Sequence, residues 1–431
     1  MLVYYINLIL IVGLGIALTY KKPTKLKNGI YLTATFGYMW LLSYFRFGIG
    51  FDYDSYASIL ELQKKMLNKG GSIFNLEGAG QEPGYVLIEN ICAKLNIGYI
   101  TLYGILAAFM LLSAAVFIYR FSKNVWISTF IYVTLTFFYS TLNYMRQSIA
   151  LAMAFWAFGF LYKKKDSVKA WILNFIPYAA IIAAASTIHK AVLLMLPVYF
   201  IVYIRPRKWV LLGYAVLFGL IHIFYNQLLE IGYTYIYPQY RGTYYMQPLG
   251  AHFLIIPILF CALALGLQDF LYKKDQHSVV LVNLVTYGFL FWSFVVRSML
   301  LERFSSFLYF AVILLAAELY TDFAPASGEL ETCKGELKAL RDTSAAKNKL
   351  KQATQKLEEL KLTRVLSLSG LVIVLTAVFV YHQFGTTDGK TGFHGVFPYK
   401  SNVKWIEQLN GQLDKDPVWW EDWEKKHYNP K

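Results

Sequence analysis

Ionisable residues recur in this chain where long apolar segments end, a position at which a charged group is costly unless it has a partner or a function. Arginine presents a planar pair of donors to phosphate oxygens, while a carboxylate or an imidazole can accept a proton. Together these side chains predict a site that holds a pyrophosphate group and activates a hydroxyl. The residues are Arg46, Asp52, Glu82, Arg146, His189, Arg241, Arg297 and Arg303.

The first motif, Arg46 to Tyr56, combines an arginine, two glycines and two acids. Its glycines could bring backbone amides close to a phosphate, as glycine-rich loops do. Alternatively, Arg46 only marks the membrane boundary and the loop is solvated. Asp52 is a candidate base and Tyr53 a candidate substrate contact. Asp52 and Asp54 could form a divalent-ion pair, but no further carboxylate follows at ligand spacing, so we expect no metal.

The second and third motifs also combine a turn with charged or polar groups. Glu82 opens a Glu-Pro-Gly-Tyr segment ahead of an amphipathic stretch, 86–95, which we expect along the membrane interface. Glu82 is therefore either a helix cap or a base that binds a substrate hydroxyl. Arg146 and Gln147 stand between two apolar segments with almost no loop, which places them at the membrane surface or in a cavity of the bundle. Both are candidate substrate ligands.

The remaining charged residues allow structural as well as functional interpretations. His189, at another short turn, is either a catalytic base or a structural residue at a helix end. Arg297 and Arg303 flank a further turn, and Glu302 could neutralise one of them. Arg241 lies in a tyrosine-rich loop whose rings suit sugar stacking, although interfacial anchoring explains tyrosine there almost as well.

The position of each group relative to a lipid headgroup ranks these candidates. Arg146 and Arg303, followed by Arg46, are the preferred pyrophosphate ligands, because they lie closest to where such a headgroup would rest. For the base, Asp52 and Glu82 are preferred to His189.

Composition limits the class of protein that can carry such a site. The 431 residues are 57% hydrophobic and 18% aromatic, with a mean hydropathy of +0.43, which leaves too little polar surface for a soluble protein of this length. The net charge of +15 comes from basic residues in short loops rather than from a patch with readout motifs, so nucleic acid is not an expected partner. Cys92, Cys261 and Cys333 lie far apart, which predicts neither disulfides nor a zinc site.

Apolar segments long enough to cross a hydrocarbon core of about 30 Å recur along the chain. Their continuity excludes alternating barrel strands, so the predicted fold is all-α, a polytopic transmembrane helical bundle of about 12 spans. The first segment is too long for a signal-peptide core, and we expect it to stay as a span. The predicted spans are 2–20, 30–46, 98–119, 126–142, 147–162, 170–187, 190–204, 209–225, 251–271, 278–296, 299–319 and 365–384.

Lysine and arginine in the short loops predict the orientation of this bundle, because such residues are enriched on the cytoplasmic side. If the spans alternate, the basic loops and the segment 320–364 share one side, which is then cytoplasmic. Both termini and the loops 47–97 and 226–250 are then external, as are all the candidate site residues. Residues 170–204 could instead form a re-entrant hairpin, which would leave the predicted orientation of the spans after residue 204 unchanged.

The C-terminal quarter has a different composition. Residues 1–319 are the predicted catalytic bundle, and 320–364 a charged cytoplasmic insertion. Within that insertion two apolar registers, which begin at Leu330 and Leu350, predict two short helices folded as a hairpin. It acts either as a spacer or as a docking site for a cytosolic partner. After the last span, 365–384, the tail 385–431 carries Trp405, Trp419 and other tryptophans that suit the membrane interface.

In its motifs the chain resembles the EpsG family of bacterial exopolysaccharide and capsule proteins, which are similar in role to Wzy-type polysaccharide polymerases. The resemblance runs through Arg46–Tyr56, Glu82–Tyr85, Arg146–Gln147, His189 and Arg303 with Tyr309. It implies a GT-C-like bundle in the bacterial plasma membrane that joins undecaprenyl-pyrophosphate-linked oligosaccharides at the outer face, without a cofactor. It also implies membrane lipid and a chain-length regulator or other assembly proteins as partners.

Other classes of function remain open. A polyprenyl-phosphate-sugar-dependent glycosyltransferase would also place an acidic loop after an early span, but would add one sugar rather than a repeat. A lipid-linked glycan transporter would need charges in the middle of its spans, whereas this chain keeps them at the ends. An O-acyltransferase acting through His189 would need a cytoplasmic acyl-donor site that the sequence does not reveal.

Overall fold

The structure, a computed structural model, describes residues 2–20, 23–76, 81–163, 165–235, 241–242, 247–323, 327–342, 347–381, 395–396 and 399–401. Its regular elements in these ranges are all helices, as predicted. The chain divides into two units, the first with residues 1–51, 118–143 and 316–431 and the second with 52–117 and 144–315. The Trp-rich tail with Trp405, Trp419, Trp420 and Trp423, and loop tyrosines Tyr237, Tyr240, Tyr244 and Tyr245, lie outside the described residues.

The first unit is built from α1 (Leu2–Leu14), α2 (Lys25–Phe45), the end of α5 (Tyr99–Phe121), α6 (Val125–Thr134), α7 (Phe137–Thr141) and the C-terminal helices. Gly15 follows α1 and lets the chain approach α6, because a Cβ there would stand 3.0 Å from the Trp126 ring. Tyr4 packs edge-on against Tyr139. Aromatic side chains thus share the core of this unit with buried aliphatic residues such as Ile11, Ile127 and Ile131.

The two helices predicted in the insertion are α18 (Ser327–Asp342) and α19 (Lys347–Val380). Leu330, Cys333, Leu337 and Leu357 form a buried apolar cluster, with residues 350, 353 and 360 packed against it. These positions belong to the two registers read from the sequence. The second helix differs from the prediction in its length, because it continues without a break into the last apolar segment.

The second unit contains α3 (Tyr53–Asn68), α4 (Pro83–Lys94), most of α5, α8 (Met145–Leu161), α9 (Val168–Ser186), α10 (Met195–Ile201), α11 (Lys208–Ile223) and α12 (Tyr225–Tyr235). It continues with α13 (Ile255–Gly266), α14 (Gln268–Lys274), α15 (Ser278–Trp292), α16 (Glu302–Tyr309) and the start of α17 (Val312–Phe323). The largest interfaces join α8 to α9 and α15 to α16. Gly288 permits the second, since a Cβ there would lie 2.7 Å from the Tyr309 amide nitrogen.

Apolar helices of membrane-spanning length are fewer than predicted. Among the described residues, 4 helices are long and apolar enough to cross a membrane, or up to 7 if each bent pair counts as one span. The number of 12 is therefore not confirmed. Three predicted spans are broken instead: 126–142 separates into α6 and α7, 251–271 bends by 60° between α13 and α14, and 299–319 bends by 51° between α16 and α17. The pair α11 and α12 bends by 70° where the predicted span 209–225 ends, and α12 is a helix within the segment predicted as the external loop 226–250.

Candidate functional site

Glu82 organises a group of charged side chains in the second unit. Pro83 occupies the first turn of α4, where its missing N–H is tolerated, and so fixes where the helix begins. Glu82 stands at the N-cap of α4, as the capping interpretation expects, although its side chain makes no capping hydrogen bond to the described amides of α4. Its carboxylate instead accepts hydrogen bonds from Arg146 Nη1 and, at 3.3 Å, from the Lys190 backbone amide. His189 Nδ1 lies 3.6 Å from Glu82 Oε1.

Gly84 lets the start of α4 lie directly against the turn that carries His189. Its amide donates to the Thr187 carbonyl at 2.8 Å. A Cβ at Gly84 would stand 2.2 Å from Thr187 Oγ1 and 2.8 Å from the Thr187 oxygen, closer than real contacts allow. The Glu-Pro-Gly motif therefore serves two purposes: proline starts the helix, and glycine permits the approach that brings Glu82 to Lys190.

Arg146 enters the site from the first turn of α8. Besides Glu82, its guanidinium contacts Tyr56, whose hydroxyl accepts from Arg146 Nε at 3.3 Å. Tyr56 lies one turn into α3, and its amide donates to the Asp52 carbonyl. The α3 and α8 helices thus bring a phenol and a guanidinium together, with Asp52 at the beginning of α3.

Arg303 is the second cation of this group. It lies in the first turn of α16, is 9% exposed, and holds its guanidinium 5.7 Å from the centre of the Tyr144 ring. The next residue on the same face, Phe307, stacks at 6.0 Å on His189. The charges of Arg303 and Arg146 both act on Asp52 and His189. We call Asp52, Tyr56, Glu82, Arg146, His189 and Arg303 the charged cluster.

The titration of the two acids in the charged cluster separates their roles. Burial raises the pKa of Asp52, and the charges of Arg303 and Arg146 offset only part of that rise. Burial would also raise the pKa of Glu82, but its contact with His189 and the charge of Arg146 outweigh it and lower the pKa to about 2. Glu82 is therefore a firmly ionised, weakly basic carboxylate, whereas Asp52 is the stronger base. Burial lowers the pKa of His189, which keeps its imidazole neutral near pH 7.

Glu89 is an acid that the sequence reasoning missed. It is fully buried on α4, where Gln81 Nε2 donates to its Oε1 at 3.4 Å and its Oε2 finds no hydrogen-bond partner among the described residues. Burial raises its pKa to about 8. The only signal in the sequence is its spacing of seven residues from Glu82, which places both on one helical face. Tyr56 was likewise missed as the partner of Arg146.

Several predicted site residues have other surroundings. Tyr53 packs on Tyr103, with ring centres 4.9 Å apart. Gln147 is buried, and its Oε1 has no hydrogen-bond partner within the described ranges. Arg297 donates to the His222 carbonyl at 3.0 Å and lies over the Tyr225 ring.

Two predicted arginines have structural partners. Arg241 pairs with Glu230, and both are more than half exposed. Arg46 belongs to the first unit, where it is buried and donates to the Leu142 carbonyl. In the glycine loop beside it, the Gly50 amide donates to the Gly395 carbonyl and is therefore not free to bind a phosphate. Gly50 has φ +95, and a Cβ there would lie 2.2 Å from the Leu142 oxygen.

Among the residues that the structure describes, no group of three or more His, Cys, Asp or Glu side chains could hold a metal ion. The charged cluster combines the guanidinium groups of Arg146 and Arg303 with the carboxyl group of Asp52, whose pKa is raised. Such an arrangement can hold an anion and accept a proton next to it.

The fold is that of a helical protein with several candidate membrane spans, and it buries a cluster of charged side chains. The EpsG family matches residues 29–327, which is more than half of the chain, so this protein belongs to the EpsG family. It is a membrane protein of polysaccharide biosynthesis. The match confirms the resemblance drawn from the motifs. No curated protein and no solved structure matches the chain.

Proposed function

We propose that this protein is a polysaccharide polymerase that joins undecaprenyl-pyrophosphate-linked oligosaccharide repeats at the outer face of the bacterial plasma membrane. The observation that carries the proposal is the grouping of Arg146 and Arg303 with Asp52, whose carboxyl pKa both arginine charges lower, in a member of a polysaccharide-biosynthesis family. A glycosyl transfer from a lipid pyrophosphate needs two things: stabilisation of the leaving group and a base for the acceptor hydroxyl. The charged cluster offers side chains for both.

In this mechanism the arginines bind the pyrophosphate of the donor. As the bond between the anomeric carbon and the phosphate oxygen breaks, negative charge collects on the leaving undecaprenyl pyrophosphate, and Arg146 and Arg303 stabilise it. Glu82 keeps Arg146 in place through its ion pair. Because Glu82 already accepts hydrogen bonds from Arg146 and from the Lys190 amide, it acts as a positioning residue.

Asp52 acts as the base. The hydroxyl of the acceptor sugar attacks the anomeric carbon and gives its proton to the Asp52 carboxylate, so a glycosidic bond forms as the pyrophosphate leaves. The raised pKa of Asp52 favours this role over that of Glu82. His189, whose imidazole is buried and neutral, supports the turn next to Glu82 rather than the proton transfer.

The proposal also covers the side of the membrane on which the charged cluster lies and the proteins that contact the polymerase. The charged cluster lies on the external side, the insertion with α18 and α19 in the cytoplasm, and a chain-length regulator or other assembly protein contacts the polymerase. Gln147 and Tyr53 remain predicted substrate contacts. Reporter fusions at residues 146 and 303 test the orientation: we expect both to report the external side, and a cytoplasmic signal from either would contradict the mechanism.

The activity itself is tested with purified protein in lipid nanodiscs and a synthetic lipid-linked repeat. A polymerase gives a ladder of products that differ by one repeat, and released undecaprenyl pyrophosphate accumulates in step. A polyprenyl-phosphate-sugar-dependent transferase is the second candidate, because the acidic loop at Asp52 and Asp54 suits it too. It would give a single added sugar from a monosaccharide donor and no ladder.

A further inference from the structure

A large apolar cavity lies in the second unit, next to the charged cluster. Its volume is about 560 Å³, within the range of about 300–1,000 Å³ typical of small-molecule sites. The walls come from α10, the bent pair α11 and α12, α15 and α16, and they carry leucine, isoleucine, valine, phenylalanine, tyrosine and proline side chains. No charged residue lines it among those that the structure describes. Such a cavity suits a hydrocarbon chain.

Two of the elements that line the cavity also carry residues of the charged cluster. Leu301, which precedes α16, and Phe304 and Leu308 on α16 line the cavity. On the same helix, Arg303 lies over Tyr144 and Phe307 stacks on His189. The helix therefore presents a cationic face to the site and an apolar face to the cavity. The other element is the chain after His189, whose Leu194 already lines the cavity. A molecule with an anionic head and an apolar chain would fit both at once.

The wall formed by α11 and α12 leaves the cavity open to its surroundings. Leu217 and Leu228 both line it, and they are 51% and 47% exposed. In a membrane protein, exposed leucines of this kind meet lipid chains, so a hydrocarbon chain can enter sideways from the bilayer.

We propose that this cavity holds the polyprenyl chain of the lipid-linked substrate, with its pyrophosphate at Arg303. The proposal rests on the proposed function for the identity of the substrate, and it adds where the chain of that substrate binds. The occupant is the polyprenyl chain rather than an ordinary phospholipid, because two elements that line the cavity, α16 and the chain after His189, also carry residues of the charged cluster that we assign to the pyrophosphate site.

Gly232 provides a variant that fills the cavity. It lines the cavity on α12, and a Cβ there would meet nothing within 4 Å, so Gly232→Trp places its ring in open space. Gly219 on α11 is the matched control: a Cβ there also meets nothing within 4 Å, and it does not line the cavity. Leu217→Trp, with the equally exposed Leu212→Trp outside the cavity, forms a second pair. Thermal unfolding confirms that each variant is folded.

The probe is undecaprenyl pyrophosphate without sugar, with a diazirine in its chain, added to the full-length protein in nanodiscs. We expect photolabelling of residues 194–308 that unlabelled undecaprenyl pyrophosphate competes away and dioleoyl phosphatidylglycerol does not. Gly232→Trp and Leu217→Trp should each weaken binding by about tenfold or more, equivalent to about 1.4 kcal/mol, and their controls should match the parent. Unchanged binding in both cavity variants, or equal competition by phosphatidylglycerol, would overturn the proposal.

Because the probe carries no sugar, its binding does not depend on polymerisation. Labelling at the cavity without a product ladder would contradict the proposed function and leave the cavity assignment standing. A product ladder together with normal binding in both cavity variants would contradict the cavity assignment and leave the proposed function standing.

Discussion

Two arginine–glutamate pairs in the second unit have the same chemistry in different surroundings. Arg146 and Glu82 have side chains that are 18% and 8% exposed, whereas Arg241 and Glu230 are 56% and 57% exposed. Exposed pairs contribute about 0–1 kcal/mol, because water screens them and two long side chains must be ordered. Loss of one partner from a buried pair costs about 3–5 kcal/mol, since it leaves a charge without compensation. Burial, rather than the presence of an ion pair, therefore distinguishes the Arg146–Glu82 pair of the charged cluster from the exposed Arg241–Glu230 pair.

The largest expected effect concerns the acid beside the buried pair. Asp52→Asn removes the proposed base, and we expect the polymerisation rate of the purified protein to fall by about 10²–10⁴-fold. Asp54→Asn, two residues away, is the matched control and should change the rate by less than about threefold if only Asp52 accepts the proton. Equal losses in both variants would assign the effect to the loop as a whole.

Arg146→Gln and Arg241→Gln compare the two pairs directly. We expect the first to lower polymer formation by about 10²–10³-fold, because a donor to the developing charge is lost, while single lipid-linked repeats are retained. The second should leave polymer length and amount unchanged. Polymer is measured on gels and repeats by mass spectrometry in strains that carry each variant. Polymer of normal length in the Arg146→Gln strain would remove Arg146 from the site.

Gly84→Ala tests the backbone approach that assembles the buried pair. The added methyl group would overlap Thr187, so we expect a loss of about 1–3 kcal/mol in the free energy of unfolding, with a lower melting temperature. Gly98→Ala is the control, because a Cβ at Gly98 meets nothing within 4 Å. If both variants melt alike, the contact between Gly84 and Thr187 does not matter for stability.

The smallest effect is on the pH dependence of stability. Folding lowers the pKa of Glu82 from 4.5 to about 2, so its ion pair stabilises the folded state above pH 4.5, and this contribution is lost as the pH falls toward 2. The advantage of the parent over Glu82→Gln in thermal unfolding should therefore shrink between pH 5 and pH 3, by about 1 kcal/mol. A difference between the parent and Glu82→Gln that stays constant from pH 5 to pH 3 would contradict the lowered pKa of Glu82.

The sequence determined the helical class, the family and most members of the charged cluster. Long apolar segments dictate helices because a backbone in hydrocarbon must satisfy its own hydrogen bonds. Arg146 stood out because a charged residue between two apolar segments needs a partner, and Arg303 stood out as one of two arginines at a short turn. The registers from Leu330 and Leu350 followed from helical periodicity, which is a local property.

Only the tertiary structure decided which charges are buried together. Arg146 and Arg241 are both candidate substrate ligands in the sequence, but one meets Glu82 in the interior and the other meets Glu230 of α12 at an exposed position. Glu89 looked like an ordinary polar residue of an amphipathic helix, and the packing of α4 buries it fully. The bends that break predicted spans are also invisible to hydropathy. Exposure and pairing depend on residues far apart in the chain, so periodicity and composition, which are local, cannot report them.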